Sequence, residues 1–426
     1  MTVFRRRSRA SRPVPTQQVA SAPGRAPRGF TLRTTLAYLG LYTALLASAL
    51  VTVPLRIGEV DPQGKESSLG LVAGVGSLVA VIANPLFGRL SDRTTSCLGR
   101  RRPWLVGGVL GGTAGLAIIA VVPSVPGILL GWCLAQLAFN ATLSSLAATI
   151  PDQVPVRERG RVSGAVGFSQ LIAIPLGAGV AALFASPTAR FLIPALVATL
   201  LVILFAVTLR DRPAPPGQPR LTQKEFFGSF WTDPRAHPDF GWMWLTRFLV
   251  FLAAFSPVPY LAFFLSDRMH VSQQALAGTL ALLTVANYGV GAVTSALSGW
   301  LSDRTGRRKP FVVAAMLVLA TGMVMLAAAG SLAAVLAAQV VLGFASGLYF
   351  GVDLALSTQV LPSAATDAKD LGVMNVATVL PQSIGPAAAP LLIALGSGHN
   401  YTALYVASAV CAIAAAAAVT RVRGPR

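Results

Sequence analysis

The sequence predicts an all-α membrane protein with twelve transmembrane helices in two pseudo-symmetric six-helix bundles, with both termini cytoplasmic. Three observations predict this fold class: an apolar composition, twelve long apolar runs and a motif that occurs twice. Of the 426 residues, 54% are hydrophobic and 12% are charged, and the mean hydropathy is +0.66. Because a helix needs about 20 apolar residues to cross a bilayer, long apolar runs divided by brief polar segments indicate a lipid-embedded chain.

The apolar runs define the order of the helices. They cover residues 36–57, 68–87, 104–123, 127–149, 161–185, 190–209, 242–265, 276–298, 311–329, 332–356, 371–396 and 402–420. Ala47 and Ala49 have the spacing of a signal-peptidase site. The first run continues to Ile57, however, and cleavage there would leave eleven spans, so we expect this run to be the first membrane helix.

A stretch rich in proline and charge divides six runs from six and sets the predicted domain boundaries. The predicted parts are a disordered basic cytoplasmic tail at 1–34, an N-terminal six-helix bundle at 35–209, a central cytoplasmic loop at 210–241, a C-terminal six-helix bundle at 242–420 and a cytoplasmic tail at 421–426.

The net charge of +19, from 34 Lys and Arg against 15 Asp and Glu, raises the question of a nucleic-acid partner. The distribution of charge answers it. Thirty of the basic residues fall on the predicted cytoplasmic side, and the four exceptions are Arg56, Lys65, Arg190 and Arg268. This asymmetry is the positive-inside pattern, which predicts a multi-pass protein of the cell membrane with a lipid bilayer, and no nucleic acid, as its partner.

A repeated motif relates the two halves of the chain. The sequence GRLSDR at 88–93 occurs again as GWLSDR at 299–304, an offset of 211 residues. A basic cluster ending in proline follows each copy, GRRRP at 99–103 and GRRKP at 306–310, and the first copy has four more residues before that cluster. A duplication of this kind predicts two related bundles with a cavity between them.

The chain resembles the major facilitator superfamily, whose signature between spans two and three reads approximately GxLSDRxGRRK. The second copy, GWLSDRTGRRKP, matches this signature closely. The longer first copy, ending in GRRRPW, resembles the form found in sugar-cation symporters of the glycoside, pentoside and hexuronide group and in sucrose carriers. The resemblance implies transport by alternating access of the two bundles.

The resemblance also implies a gating role for the motif, which is taken to stabilise the outward-open state. The residues carried over are Gly88, Asp92, Arg93, Arg101, Gly299, Asp303, Arg304 and Arg308. The glycines allow close helix approach, and the aspartates can accept from arginine and from amides at a helix amino terminus. A positive-inside anchor without a gating role would explain the arginines but not the paired aspartates.

One acid lies inside a predicted span. Asp353 is in the tenth span, with Tyr349 one turn before it and Ser357 one turn after it on the same helix face. Because a charge in the membrane is costly to bury, Asp353 is the candidate coupling or substrate-binding carboxylate. The alternative is a structural acid bonded to a neighbouring span. Arg247, at the start of the seventh span, is expected to extend to the membrane interface, with contact to an anionic substrate as the alternative.

Other polar residues fall in the spans that line the cavity in this superfamily. They are Tyr42, Gln136, Asn140, Gln170, Tyr260, Asn287, Tyr288, Asn375 and Gln382, and Tyr349 joins them beside Asp353. Each by itself is also explained by a hydrogen bond between helices. Together they predict a mostly neutral cavity with amide, hydroxyl and aromatic groups, which suits sugars or other hydroxyl-rich solutes.

No cofactor and no metal site are predicted. The three histidines, His237, His270 and His399, share no ligand spacing, and the three cysteines are expected to be reduced packing residues. Sodium-coupled carriers of the melibiose type have acids in the second span, where this chain has the neutral amide Asn84. The proton is therefore the expected coupling ion, and sodium is less favoured.

The sequence thus predicts a monomeric secondary active transporter of a small solute, with sugars or glycosides as the leading class. The alternatives are a drug or metabolite efflux carrier of the same superfamily and a membrane receptor or scaffold without transport. No catalytic triad, metal-ligand spacing or phosphate-binding loop indicates an enzyme. Prolines at 175, 257, 259, 381, 386 and 390 are expected to break or bend spans five, seven and eleven.

Overall fold

The computed structural model describes residues 26–211, 213, 237–359, 367–396 and 399–422. This part of the chain is all-helical, with twelve helices long and apolar enough to cross a membrane, as predicted. Most of the predicted amino-terminal tail, most of the predicted central loop and residues 423–426 lie outside it. The helices are α1 Phe30–Val60, α2 Lys65–Arg93, α3 Arg102–Val121, α4 Val125–Gln153, α5 Val156–Leu183, α6 Pro187–Thr208, α7 Pro238–Asp267, α8 Gln273–Thr305, α9 Lys309–Ala328, α10 Leu332–Gln359, α11 Asp367–Ile393 and α12 Tyr401–Thr420.

Helices α1 and α7 begin before the predicted bundle boundaries at 35 and 242. Residues 30–34 continue the helix of the first span, because Thr and Arg near a helix amino terminus do not interrupt its backbone hydrogen bonds. Pro238 begins α7, where its missing N–H has no helical partner to lose. The apolar runs marked the membrane core, while the helices extend beyond it.

The packing of the helices repeats after six. In the first half α1 packs on α5 and α6, α2 on α4, and α3 on α4 and α6. In the second half α7 packs on α11 and α12, α8 on α10, and α9 on α10 and α12. The main contacts between the halves are α2 with α11 and α8 with α5. The relation that matches each helix with the one six places away turns the first of these contacts into the second. The predicted pseudo-symmetric pair of six-helix bundles is therefore confirmed.

Alternation of the helices gives the molecule two faces. We call the face that carries residue 30 and the α2–α3 connection the terminal face, and the opposite one, with the α1–α2 and α7–α8 connections, the far face. In the far half of α2 the halves pack closely. A Cβ built on Gly70 would lie 2.6 Å from Pro390 Cγ, and one on Gly74 would lie 2.8 Å from Ala387 Cβ. These contacts close the space between the two halves at the far face.

Two helices contain irregular turns. Helix α1 has a π-helical turn at Ser48–Thr52 just before Pro54, which has no N–H to continue the ordinary ladder. Helix α7 is interrupted after Phe255 by a 3-10 turn at Val258–Tyr260, between Pro257 and the final turns. The break expected in span seven is therefore confirmed.

Spans five and eleven differ from the expectation at their prolines. The assigned helices α5 and α11 run continuously through Pro175 and through Pro381, Pro386 and Pro390. Neighbouring helices in a membrane protein help to hold a helix together around a proline, so a proline need not end it.

Candidate functional site

Asp353 lies in the terminal-face half of α10, and its side chain is buried. The hydroxyl of Tyr349, one turn earlier, donates a hydrogen bond to Asp353 Oδ1 at 2.7 Å. Arg247 of α7 places its Nη2 atom 2.9 Å from Asp353 Oδ2, and the two side chains are 16% and 7% exposed. A nearly buried ion pair therefore joins α7 to α10.

The expectation that Arg247 extends to the membrane interface is wrong. Its guanidinium turns towards Asp353 because an unpaired carboxylate at that depth would be strongly destabilising. The same guanidinium lies 6.0 Å from the ring centroid of Phe251, within range of a cation–π contact. The predicted pairing of Tyr349 with Asp353 is observed, while the side chain of Ser357 lies outside the described residues.

A cavity of about 140 Å³ lies among α7, α8, α9, α10 and α12, with Leu171 of α5 contributing from the other half. The predicted residues Asn287 and Tyr288 line it. Asn287 donates through Nδ2 to Gln339 Oε1 at 2.9 Å. The hydroxyl of Tyr405 is buried with no hydrogen-bond partner among the described residues. Because buried hydroxyls are normally hydrogen-bonded, this phenol is available to a solute or a water.

The cavity wall combines apolar and polar groups and approaches the ion pair. Phe255 and Phe350 contribute aromatic rings, and Ser346 contributes a hydroxyl. The same three residues line a second, smaller cavity that reaches Tyr349. Tyr349 therefore touches both this smaller cavity and the carboxylate of Asp353.

The predicted amides of the first half form a hydrogen-bonded chain away from this cavity. Asn84 of α2 donates to Asn140 Oδ1 of α4 at 3.3 Å, and Asn140 donates to Gln136 Oε1 at 3.2 Å. Gln136 and Asn140 are both buried. This chain joins α2 to α4, which is the interhelical alternative that the sequence left open.

The remaining predicted cavity residues are dispersed. Tyr260 is fully buried and donates from its hydroxyl to Pro386 O at 2.7 Å, a contact between α7 and α11. Tyr42 is half-buried, with its ring 5.5 Å from that of Tyr38. Gln382 bonds to its own helix, and Gln170 and Asn375 are exposed. Solute contact by these residues stays a prediction.

The first copy of the motif forms a compact polar network within the first half. Arg101 is 3% exposed, and its Nη2 atom lies 2.5 Å from Asp92 Oδ1. It also donates to Ser91 Oγ at 2.7 Å and to Asp152 Oδ2 at 3.0 Å. Arg100 binds the other oxygen of Asp152 at 2.6 Å. The motif thus ties the α2 terminus to the start of α3 and the end of α4.

The motif aspartate was expected to cap the amino terminus of a neighbouring helix. Such a cap exists at the start of α3, but Asp211 supplies it and Asp92 does not. Asp211, after α6, accepts from the backbone N–H groups of Arg101 and Arg102 at 2.7 and 2.9 Å. Asp92 binds the Arg101 side chain instead. The negative carboxylate of Asp211 therefore stabilises the start of α3.

The second copy of the motif is more open. Arg308 Nη2 lies 3.6 Å from Asp303 Oδ1, and the Asp303 side chain is 75% exposed. Arg304 stacks over Trp300, 5.5 Å from its ring centroid. A Cβ on Gly299 would lie 3.3 Å from Gly351 O, whereas one on Gly88 would lie 3.9 Å from the nearest atom, so close approach is observed at Gly299.

Both motif copies also belong to helices. GRLSDR ends α2, with the exposed Arg93 as its last residue, and GWLSDR lies within the last turns of α8. A glycine at position 306, with φ +64°, then ends α8 in the left-handed conformation that a helix stop requires.

Several residues of these sites were not predicted. Gln339 and Tyr405 are polar residues within apolar runs, the same signal that selected Gln136 and Tyr288. Asp152 and Asp211 are acids beside span ends, where acids are common, so no pattern distinguished them. Their roles depend on which helix ends meet in space.

Twelve helices in two symmetric halves, with a buried ion pair and a small cavity, define a multi-pass membrane carrier. Residues 30–290 and 277–426 match the model of the Major Facilitator Superfamily. The chain belongs to the major facilitator superfamily, and it is a membrane transporter and not an enzyme.

Solved structures of transporters share the fold. The crystal structure of the nucleoside transporter NupG has a TM-score of 0.69 at 15% identity, covering 92% of this chain and 98% of that one, and a mutant of NupG has a TM-score of 0.73. A bacterial homologue of the human lysosomal transporter Spinster, inward-facing and unoccupied, has a TM-score of 0.68 at 17% identity, covering 92% and 95%. No curated protein sequence matches the chain.

Proposed function

We propose that the protein is a secondary active transporter of the cell membrane that moves a small solute by proton-coupled alternating access, with sugars or glycosides as its substrates. Both termini are cytoplasmic in this proposal, so the structure closed at the far face corresponds to the inward-facing state. The observation that carries the proposal is the buried contact of Asp353 with Arg247 and Tyr349.

The ion pair has the properties of a coupling device. Protonation of Asp353 removes the charge that holds Arg247, and an uncompensated buried guanidinium then has to find a new partner. Arg247 lies on α7 about three turns before the interruption at Val258–Tyr260, so its release loosens the segment beside the helix break. Proton binding is in this way linked to the α7–α10 contact.

The cavity supports a neutral, partly apolar solute. Asn287, Gln339 and the Tyr405 hydroxyl can exchange hydrogen bonds with hydroxyl groups, while Phe255 and Phe350 can pack on an apolar face. At about 140 Å³ it is smaller than the 300–1,000 Å³ of drug-sized pockets, which favours a small solute over a bulky drug. The second cavity shares Phe255, Ser346 and Phe350 with the first and reaches Tyr349, which supports a link between solute binding and Asp353.

Uptake into proteoliposomes tests the proposal. A panel of labelled sugars and glycosides is offered with and without an imposed pH gradient, to the wild type and to Asp353→Asn. We expect the gradient to drive accumulation in the wild type and not in Asp353→Asn, while solute counterflow without a gradient persists. Undiminished accumulation by Asp353→Asn contradicts the coupling role.

Two controls make the result interpretable. Glu158→Gln removes an acid at the terminal face of α5, away from the cavity, and is expected to transport normally. The double variant Arg247→Gln with Asp353→Asn removes both charges, so it tests coupling without leaving a buried unpaired arginine. A gradient of opposite sign driving accumulation indicates an efflux carrier, and a lack of counterflow across the panel indicates a receptor.

A further inference from the structure

A second polar cluster lies at the far face, where the two halves meet. The first turn of α2 supplies Lys65 and Glu66, and the end of α7 supplies Asp267. Tyr401 begins α12, and His399 lies two residues before it. Lys65 pairs with Asp267 Oδ1, and Tyr401 lies between the two acids, so the cluster bridges the halves.

Among the residues that the structure describes, the two carboxylates of this cluster face one ammonium, that of Lys65. The Tyr401 hydroxyl lies 2.9 Å from Glu66 Oε1 and 2.7 Å from Asp267 Oδ2, and its single proton serves one of them at a time. His399 Nδ1 approaches the same two oxygens, at 3.0 and 3.4 Å. A cation held where Glu66 Oε1, Asp267 Oδ2 and His399 Nδ1 converge would balance the second carboxylate.

We propose that Glu66, Asp267 and His399 bind a divalent transition-metal ion of the zinc class. Their ligand atoms lie within 4.8 Å of one another. In a tetrahedral zinc site with bonds of about 2.0–2.1 Å, neighbouring ligand atoms are about 3.3–3.4 Å apart. The observed separations from His399 Nδ1 come close to this value. One nitrogen and two carboxylate oxygens, with water as fourth ligand, form an ordinary zinc donor set.

The surroundings suit a bound ion. Lys65 and Ser266 bind Asp267 through Oδ1, which leaves Oδ2 for the metal. Tyr401 can hydrogen-bond the coordinated carboxylates, as outer partners of metal ligands commonly do. The side chain of His399 is 58% exposed, so an ion can enter from the solution at the far face.

The metal would act on the conformational cycle. Glu66 belongs to the first half, and Asp267 and His399 belong to the second. An ion held by all three stabilises the state in which the far face is closed, because opening that face separates the ligands. Zinc outside the membrane is therefore expected to inhibit transport, and chelation to restore it.

Binding is tested on the purified full-length protein, without any transport assay, so its outcome is independent of the proposed function. Thermal unfolding is followed with Zn²⁺ and, for comparison, with Mg²⁺. We expect Zn²⁺ to raise the melting temperature of the wild type, because a ligand of the folded state stabilises it, and Mg²⁺ to have little effect. His399→Asn should weaken the Zn²⁺ response at least about tenfold in apparent affinity.

His270→Asn is the matched control. His270 is an exposed far-face histidine with φ +54°, and His399 has φ +56°, so asparagine, which tolerates the left-handed region, is inserted at equal backbone cost. The Zn²⁺ response of His270→Asn should equal that of the wild type. Glu66→Gln should lose the response as His399→Asn does. Equal Zn²⁺ responses in the wild type and His399→Asn, or no response in the wild type, overturn the proposal.

Discussion

The two copies of the repeated motif have similar sequences and different surroundings. In the first half Arg101 is 3% exposed and binds Asp92, Asp152 and Ser91. In the second half Arg308 is 20% exposed and lies 3.6 Å from Asp303. Asp152, which binds Arg101 in the first half, comes from the end of α4. The motif therefore provides a cation at each helix end, and the neighbouring helix determines whether that cation is buried.

The helix pairs that carry the motif copies differ in the same way. In the first half α2 and α4 are joined through amides, with Asn84 bonded to Asn140. In the second half Gly343, Gly347 and Gly351 of α10 recur every four residues against α8, where an added Cβ would come within 2.0–2.5 Å of α8 atoms. Both pairs contain an amide–amide hydrogen bond, Asn84 to Asn140 in the first half and Asn287 to Gln339 in the second, and only the second pair adds this run of close glycine contacts.

The largest difference is expected between Arg101→Ala and Arg308→Ala. Loss of Arg101 removes a buried guanidinium that bonds Asp92, Asp152 and Ser91, which should cost about 2–3 kcal/mol of stability. Loss of the contact between Arg308 and the exposed Asp303 should cost about 0–1 kcal/mol. Thermal unfolding of the two purified variants measures both. Equal destabilisation would show that the burial of Arg101 has no energetic consequence.

The glycines that precede each basic cluster give a second comparison. Gly99 has φ +99°, and a Cβ there would lie 2.3 Å from Asp211 Oδ2, the carboxylate that caps α3. Gly99→Ala should therefore cost about 2–3 kcal/mol through backbone strain and loss of the cap. Gly306 has φ +64° and open space around its Cβ position, so Gly306→Ala should cost about 1 kcal/mol.

The same measurement of thermal unfolding decides this comparison. If Gly99→Ala and Gly306→Ala are equally destabilising, strain accounts for both effects and the Asp211 cap contributes little. Combining Gly99→Ala with Asp211→Gly separates the two causes, because the three Asp211 atoms that a Cβ at residue 99 would meet, Oδ2, Cγ and Cβ, all belong to the removed side chain.

Much of the fold was accessible from the sequence because a bilayer imposes a simple rule on helix length and polarity. The twelve spans and the pairing of the halves followed from apolar runs and from GRLSDR with GWLSDR. The importance of Asp353 as a buried acid followed from the same rule, and its burial is observed. The π turn at Ser48–Thr52 was not predicted, because it depends on how the backbone hydrogen bonds rearrange before Pro54.

The contacts between distant segments were not accessible. Arg247 was placed at the interface because its distance from Asp353 along the chain hides their contact across α7 and α10. Glu66, Asp267 and His399 have no regular spacing, since a site assembled from three helix ends leaves no periodic pattern. Pair contacts of this kind depend on helix packing, which composition and periodicity do not determine.

The glycine contacts of the second half provide the third test. Gly347→Ala would place a Cβ 2.5 Å from Gly291 O and 2.6 Å from Thr294 Cβ, so α8 and α10 must separate, at about 2 kcal/mol. Gly289→Ala on α8 is the matched control, because nothing lies within 4 Å of its Cβ position. A neutral Gly347→Ala would contradict close packing of this helix pair.

The smallest effect is expected from the amide chain of the first half. Asn140→Ala removes the acceptor of the Asn84 hydrogen bond, and polar contacts between membrane helices contribute about 0.6 kcal/mol on average. The double-mutant cycle of Asn84→Ala with Asn140→Ala isolates the coupling between the two residues from the loss of packing. A coupling well above about 1.7 kcal/mol would place the amide contacts on a par with the glycine packing of the second half and remove the proposed difference between the halves. A coupling near zero would mean that α2 and α4 are held by shape, for instance where Trp132 packs against Gly76, and the two halves would then differ in the size of their contact residues.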